Sequence, residues 1–137
     1  MSVEGFQVVA PWAARKPPTI LIVEDEALVA SYIDDVLAES GFHVVGIAAS
    51  GPEALSLADE SRPSLALVDI RLTGPMDGIE VACRLREKFA VRSIFLSGLI
   101  DARTTQRTEA ARPLGFLPKP FLPSQVFNAI DRALNSE

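Results

Sequence analysis

The sequence predicts an α/β fold built on a parallel sheet covered on both faces, and three observations carry that prediction. Short apolar runs alternate along the chain with stretches that repeat apolar residues every three to four positions. The runs Ile20-Leu21-Ile22-Val23 and Leu65-Ala66-Leu67-Val68 contain no polar break, as expected of strands buried on both sides. Several runs end in a residue able to do chemistry: Glu24 and Asp25 after the first, Asp69 after the third, Ser97 after the fourth. In open α/β sheets the crevice outside the carboxyl ends of the strands is where ligands bind. Taken singly, each acid could equally leave its strand for solvent or cap the next helix.

Residues 1–18 differ from the rest of the chain and are expected to form a tail and linker, with one domain over 19–137. Phe6 to Trp12 is apolar but short and has no basic residue before it, which makes a poor secretory signal. Arg15-Lys16-Pro17-Pro18 looks like a stiff linker, with Phe6 and Trp12 available to pack on the domain or a partner. The first strand is Thr19 to Val23. Glu26 to Ser40 then places Leu28, Val29, Tyr32, Ile33, Val36 and Leu37 in one helical stripe, ended by Gly41. Val44 to Ala48 is the second strand, and the lone His43 opening it has no Cys or second His with which to share a metal. Ser50 and Glu53 have capping-box spacing for a helix that Arg62-Pro63 breaks. After the Asp69 strand, Thr73-Gly74-Pro75 marks a turn. Ile79, Ala82, Leu85 and Phe89 define the next helix, and Ser93 to Ser97 the fourth strand. Asp101 to Ala111 is helix-compatible with almost no apolar face, so it is expected to be weakly anchored and mobile. Leu114 to Leu117 is the last strand, Pro118-Lys119-Pro120 a turn, and Ser124 to Leu134 the closing helix with Phe127, Ile130 and Leu134 inward. Five strands alternating with five helices require right-handed crossovers and a sheet covered on both sides.

Composition narrows the functions. A chain of 137 residues is one domain's worth and can bury a substantial core. A net charge of −5 argues against non-specific nucleic-acid binding, which needs a basic footprint. No apolar run approaches the roughly 20 residues needed to span a bilayer, so a cytoplasmic location is expected. One cysteine, Cys83, excludes an internal disulfide and falls in a helical pattern, where it reads as a small core or boundary residue.

The motifs Ile20-Leu21-Ile22-Val23-Glu24-Asp25-Glu26, Leu67-Val68-Asp69, Met76-Asp77-Gly78-Ile79-Glu80, Phe95-Leu96-Ser97-Gly98 and Phe116-Leu117-Pro118-Lys119-Pro120-Phe121, in that order, resemble a bacterial two-component response-regulator receiver domain. The resemblance covers Thr19 to about Leu134. It implies a flavodoxin-like, doubly wound five-stranded sheet in the order 2-1-3-4-5, with the switch point where Glu24, Asp25 and Asp69 would meet. It further implies that Asp69 accepts a phosphoryl group from a histidine kinase or histidine phosphotransfer protein. Attack on a dianionic group needs its charge neutralised first, and Mg²⁺ suits oxygen ligands and several waters. By the resemblance Asp25 is the direct metal ligand, Glu24 binds through water, and the backbone carbonyl of Arg71 is a third protein ligand beside Asp69, which leaves the Arg71 side chain free to vary. Lys119 would reach a phosphoryl oxygen, with a cis bond to Pro120. Ser97 and Phe116 would form the switch, drawn inward on phosphorylation.

The sequence also departs from that pattern. The loop between Asp69 and Met76 is one residue longer than usual, Thr73 stands where a proline is usual, and the proline comes later, at Pro75. Phe116 replaces a tyrosine, and Leu99 a residue that is often polar. The departures put the geometry of the loop beside the site in question. A phosphatase of the haloacid-dehalogenase type also has an aspartate nucleophile, but it needs a second acid two residues on, where this chain has Arg71, which cannot donate a proton usefully. The chain is therefore expected not to be an enzyme beyond Mg²⁺-dependent self-phosphorylation and self-dephosphorylation. Only three residues follow Leu134, which suggests a stand-alone receiver acting on an unknown downstream protein, without nucleic acid or membrane. The alternative is a receiver-like binding module, or a phosphorelay intermediate, whose partner recognises the unphosphorylated form. Three crowded carboxylates should raise at least one pKa without metal, so that Asp25→Ala or Asp69→Ala would stabilise the metal-free domain by about a kcal/mol or two.

Overall fold

The computed structural model describes residues 17–135. Five parallel strands, β1 (Thr19–Val23), β2 (His43–Ala48), β3 (Leu65–Asp69), β4 (Ser93–Ser97) and β5 (Gly115–Pro118), form one sheet in the order β2-β1-β3-β4-β5. This is the predicted flavodoxin-like order. Between the strands run α1 (Ala27–Glu39), α2 (Gly51–Ser61), α3 (Gly78–Phe89) and α4 (Ala102–Thr108), the last continued by one 3₁₀ turn (Glu109–Ala111), and α5 (Pro123–Asn135) closes the chain.

The period-two geometry of a strand explains why the central runs are apolar throughout. Leu21, Val23, Ala66, Val68 and Phe95 pack on one face against α2 and α3, together with Ala54, Ala58, Val81 and Leu85. Their sequence neighbours Ile20, Ile22, Leu65, Leu67, Ile94 and Leu96 pack on the other face against Ile33 and Leu37 of α1 and Val126 and Ile130 of α5. Strand β2 is an edge and is only partly buried, with one extra residue, Val45, slipping the register between Ile20 and Leu21.

Local chemistry sets the helix ends. The carbonyl-rich end of α1 is closed at Gly41, whose φ of +89° a side chain would strain. Ser50 Oγ accepts from the Glu53 amide at the start of α2, and Glu53 Oε1 accepts from the Ala49 amide, one residue earlier than a strict capping box. Asp77 and Asp101 accept from the amides of Glu80 and Thr104 and so cap α3 and α4.

Some expectations need correction. Leu28 and Tyr32 belong to the apolar stripe of α1 by spacing, but Leu28 is 86% exposed and Tyr32 39%. They lie past the edge of the face that meets the sheet, which is covered by Ala30, Ile33, Val36 and Leu37. Strand β5 runs one residue later than predicted, although Leu114 already donates its amide to the Ser93 carbonyl of β4. On α5 the buried residues are Val126, Ile130 and Ala133, while Phe127 and Leu134 only flank the core. The suggested packing of Phe6 and Trp12 lies outside the described residues.

Candidate functional site

The chain passes from β1 to the edge strand β2, then crosses back to place β3 on the opposite side of β1. The two crossovers part above β1 and β3, and the carboxyl ends of both strands open into the crevice between them. Glu24 follows β1 with 1% of its surface exposed, and Asp69 ends β3 with 5% exposed. One carboxylate oxygen each from Glu24, Asp25 and Asp69 lies within 4.8 Å of the other two, so the structure brings the three predicted acids together.

Lys119 reaches this cluster from the end of β5. Its Nζ lies 3.1 Å from Glu24 Oε1 and 3.5 Å from Asp69 Oδ1. Its amide donates to the Ser97 carbonyl at 2.6 Å, which ties the loop after β5 to the end of β4. The Lys119–Pro120 peptide bond is cis. Ser97 is buried at the carboxyl end of β4. Phe116 is 42% exposed, its ring 5.8 Å from that of Phe95, so it points away from the site.

The acids do not share one environment. Glu24 accepts from the Glu26 amide at 3.1 Å and from Lys119, yet burial, helped by the nearby charge of Asp69, pushes its pKa above the usual value. Asp25 goes the other way: the Thr73 hydroxyl at 2.6 Å, together with the Thr73 amide at 3.2 Å, outweighs a small burial penalty and lowers its pKa. Burial works against the Lys119 ammonium, but Glu24 and Asp69 more than offset it and raise its pKa. The expected crowding strain therefore falls on Glu24, while the Thr73 donors stabilise the Asp25 anion, which argues against a gain in stability on loss of Asp25.

Asp69 Oδ1 accepts from the Arg71 amide at 3.0 Å, and the Arg71 guanidinium reaches across the crevice to donate to the Leu99 carbonyl at 3.1 Å. Gly78, at the start of α3, lies directly under Asp69. A Cβ there would fall 2.7 Å from the Asp69 carbonyl carbon and 2.9 Å from Ile70 Cα, and would clash with the Asp69 carbonyl oxygen. Only glycine admits that approach.

Three carboxylates facing one ammonium leave an excess of negative charge in a cleft walled by Thr73, Arg71 and Gly98. The donors are oxygen alone, which fits a hard divalent cation and not a thiolate- or imidazole-seeking metal. A lysine opposite an aspartate at the same crevice suits a group carrying negative charge on that aspartate.

A family model described as the response regulator receiver domain matches residues 20–131. The chain belongs to that family. PdtaR of Mycobacterium tuberculosis, a transcriptional regulatory protein, is 32% identical over 89% of this chain, which spans only 59% of PdtaR. The phyllosphere-induced regulator PhyR of Methylorubrum extorquens is 35% identical over 89% of this chain and 45% of its own length. The chemotaxis protein CheY of Bacillus subtilis is 33% identical over 85% of this chain and 97% of its own. Among solved structures, the signal receiver domain of a modulated diguanylate cyclase from Desulfovibrio desulfuricans is 36% identical with a TM-score of 0.84, covering 88% of this chain and 96% of that one. The chain thus spans about half the length of two of these relatives and nearly all of a third. No helix among the described residues is long and apolar enough to cross a membrane.

Sequence reasoning misses three side chains of this receiver's site. Thr73 reads as a turn residue, although a donor-bearing residue where proline is usual is itself the signal. The Arg71 side chain, given no role by the resemblance, donates to the Leu99 carbonyl. Arg107 is one of the polar residues of a helix without an apolar face. Its Nη2 bonds Asp77 Oδ2 at 2.7 Å, joining α4 to the cap of α3. None of the local sequence around Arg107 indicates a partner 30 residues away.

Proposed function

We propose that this chain is a phosphoryl-accepting receiver whose acceptor is Asp69, and that it signals by binding a partner protein in a phosphorylation-dependent way. The observation that carries the reading is the placement of Lys119 Nζ between Glu24 and Asp69, above three converging carboxylates. The Asp69 carboxylate attacks the phosphorus of a phosphohistidine on a histidine kinase or phosphotransfer protein. An O–P bond forms as the N–P bond breaks, and the electron pair returns to the imidazole nitrogen. Mg²⁺, held by Asp25, Asp69 and the Arg71 backbone carbonyl and through water by Glu24, would neutralise phosphoryl charge when bound. Lys119 then turns from Glu24 and Asp69 to a phosphoryl oxygen, and the Ser97 hydroxyl donates to another.

The switch follows from packing. With Ser97 drawn toward the phosphoryl group, the half-exposed Phe116 ring has a route into the space behind it. That shift changes the face formed by α4 and β5, a population shift between two packings. The short α4 suits this role, because Thr108 is its one buried residue. Residues 19–137 are read as the receiver proper, and the chain's own chemistry as limited to gaining and losing the phosphoryl group. A cytoplasmic setting fits the phosphodonor.

Incubation with a small phosphodonor such as acetyl phosphate in Mg²⁺, read by intact mass, tests the reading. One phosphoryl group is expected on the native chain and none on Asp69→Asn, a near-isosteric change. Full labelling of Asp69→Asn would place the acceptor elsewhere, and no labelling of the native chain would favour a module recognised in its unphosphorylated form.

A further inference from the structure

We infer that Thr73 is a positioning residue for the cation site, holding Asp25 in place for metal binding through two hydrogen bonds to a single carboxylate oxygen. This rests on the cation site proposed above. The Thr73 hydroxyl donates to Asp25 Oδ2 at 2.6 Å and its amide donates to the same oxygen at 3.2 Å. Two donors on one oxygen fix both the rotation and the reach of an aspartate side chain that is otherwise only partly buried. In that position an Asp25 oxygen stays within 4.8 Å of oxygens of Glu24 and Asp69.

Each feature of the loop contributes to this contact. Thr73 is separated from Asp25 by 48 residues, so the bonds bridge the loops that follow β1 and β3. Gly74, next in sequence, has a φ of +106°, a conformation that bends the chain back after the Thr73 amide has been presented. A proline in place of Thr73 would supply neither donor, since it lacks both the amide proton and the hydroxyl. The chain turns away at Gly74 after Thr73, whose amide and side chain both reach Asp25, the side chain making the shorter bond. Neutral donors to a carboxylate outside the metal's own coordination sphere orient it and hold it ionised, and losing such partners costs about 10- to 100-fold in metal affinity.

The test is Mg²⁺ titration of the full chain by isothermal calorimetry, with Thr73→Val and Thr73→Ser compared with the native protein. Thr73→Val keeps the shape and the amide but loses the hydroxyl, and its affinity should fall about tenfold. Thr73→Ser keeps both donors and should bind like the native chain. In EDTA Thr73→Ser should melt like the native chain and Thr73→Val only slightly lower, by no more than Asp25→Ala, since both lose Thr73–Asp25 bonding, so that a general loss of structure shows as a larger drop. Native-like affinity of Thr73→Val overturns the inference and leaves the cation site standing. Equal weakening of both variants, or a weakened Thr73→Val that melts in EDTA well below Asp25→Ala, overturns it too. Absence of Mg²⁺ binding by the native chain overturns the cation site itself, and the role of Thr73 with it.

Discussion

Replacing Lys119 with methionine keeps most of the side-chain volume and removes the ammonium, leaving Glu24 buried without its cation. At 3.1 Å and an effective dielectric near 20, the pair has a gross attraction of about 5 kcal/mol. Desolvation of both ions offsets much of it, and the Lys119 side chain is itself 24% exposed. A second limit comes from protonation. Once alone, Glu24 can take up a proton, so its penalty at pH 7 cannot exceed the cost of neutralising a group whose usual pKa is 4.5. At about 1.36 kcal/mol per pH unit that ceiling is about 3.4 kcal/mol at pH 7 and about 0.7 kcal/mol at pH 5. Asp69 keeps its Arg71 amide and loses only the longer contact, so Glu24 carries most of the effect. The variant is expected to lose about 2 kcal/mol at pH 7 and under about 1 kcal/mol at pH 5. The sign follows from proton binding. Between 4.5 and the further-raised pKa of Glu24 the folded variant binds a proton that the unfolded chain does not, so its stability falls as pH rises through that window. Urea denaturation of both proteins at the two pH values in EDTA measures the difference, and adding Glu24→Gln to the variant should restore most of it. An equal loss at both pH values, or none at pH 7, would refute the argument that Lys119 compensates Glu24.

Asp25→Ala should destabilise the metal-free domain by about 1 kcal/mol, because the folded state loses the Thr73 bonds to an ionised acceptor. The contribution of Asp25 is present above its usual pKa of 3.8 and disappears as pH falls through the lower folded value. Urea melts in EDTA decide it, and a gain in stability would restore the view that three crowded acids repel without compensation. Arg107→Ala cuts the tie from α4 to Asp77, an exposed pair worth about 0–1 kcal/mol. Global stability should hardly change while amide exchange in residues 102–108 speeds up, and unchanged exchange there would show that other contacts anchor the helix.

The β3 strand and its terminal aspartate are legible in the sequence, because a run buried on both faces admits no polar residue until it leaves the sheet. The same holds for the helix cap at Ser50, whose partner lies three residues away in sequence. Local periodicity is less reliable at the edges of a helix face. Leu28 and Tyr32 fit the stripe of α1, but they lie at the edge of the face covered by Ala30, Ile33, Val36 and Leu37, and spacing alone does not mark how wide that cover is. Convergence of Glu24, Asp25, Asp69 and Lys119 is expected from a resemblance, and their distances need the strand order, since 95 residues separate Glu24 from Lys119. Which acid carries the strain is decided only in three dimensions. Glu24 and Asp25 are adjacent in sequence and alike in chemistry, yet one is buried against Lys119 and the other meets Thr73 on a loop 48 residues away. The chain's pattern of apolar and polar residues thus determines which elements form and which faces they bury, because those preferences are local. The pKa of a carboxylate depends on donors and dielectric supplied by distant segments, and only the folded packing brings those to it.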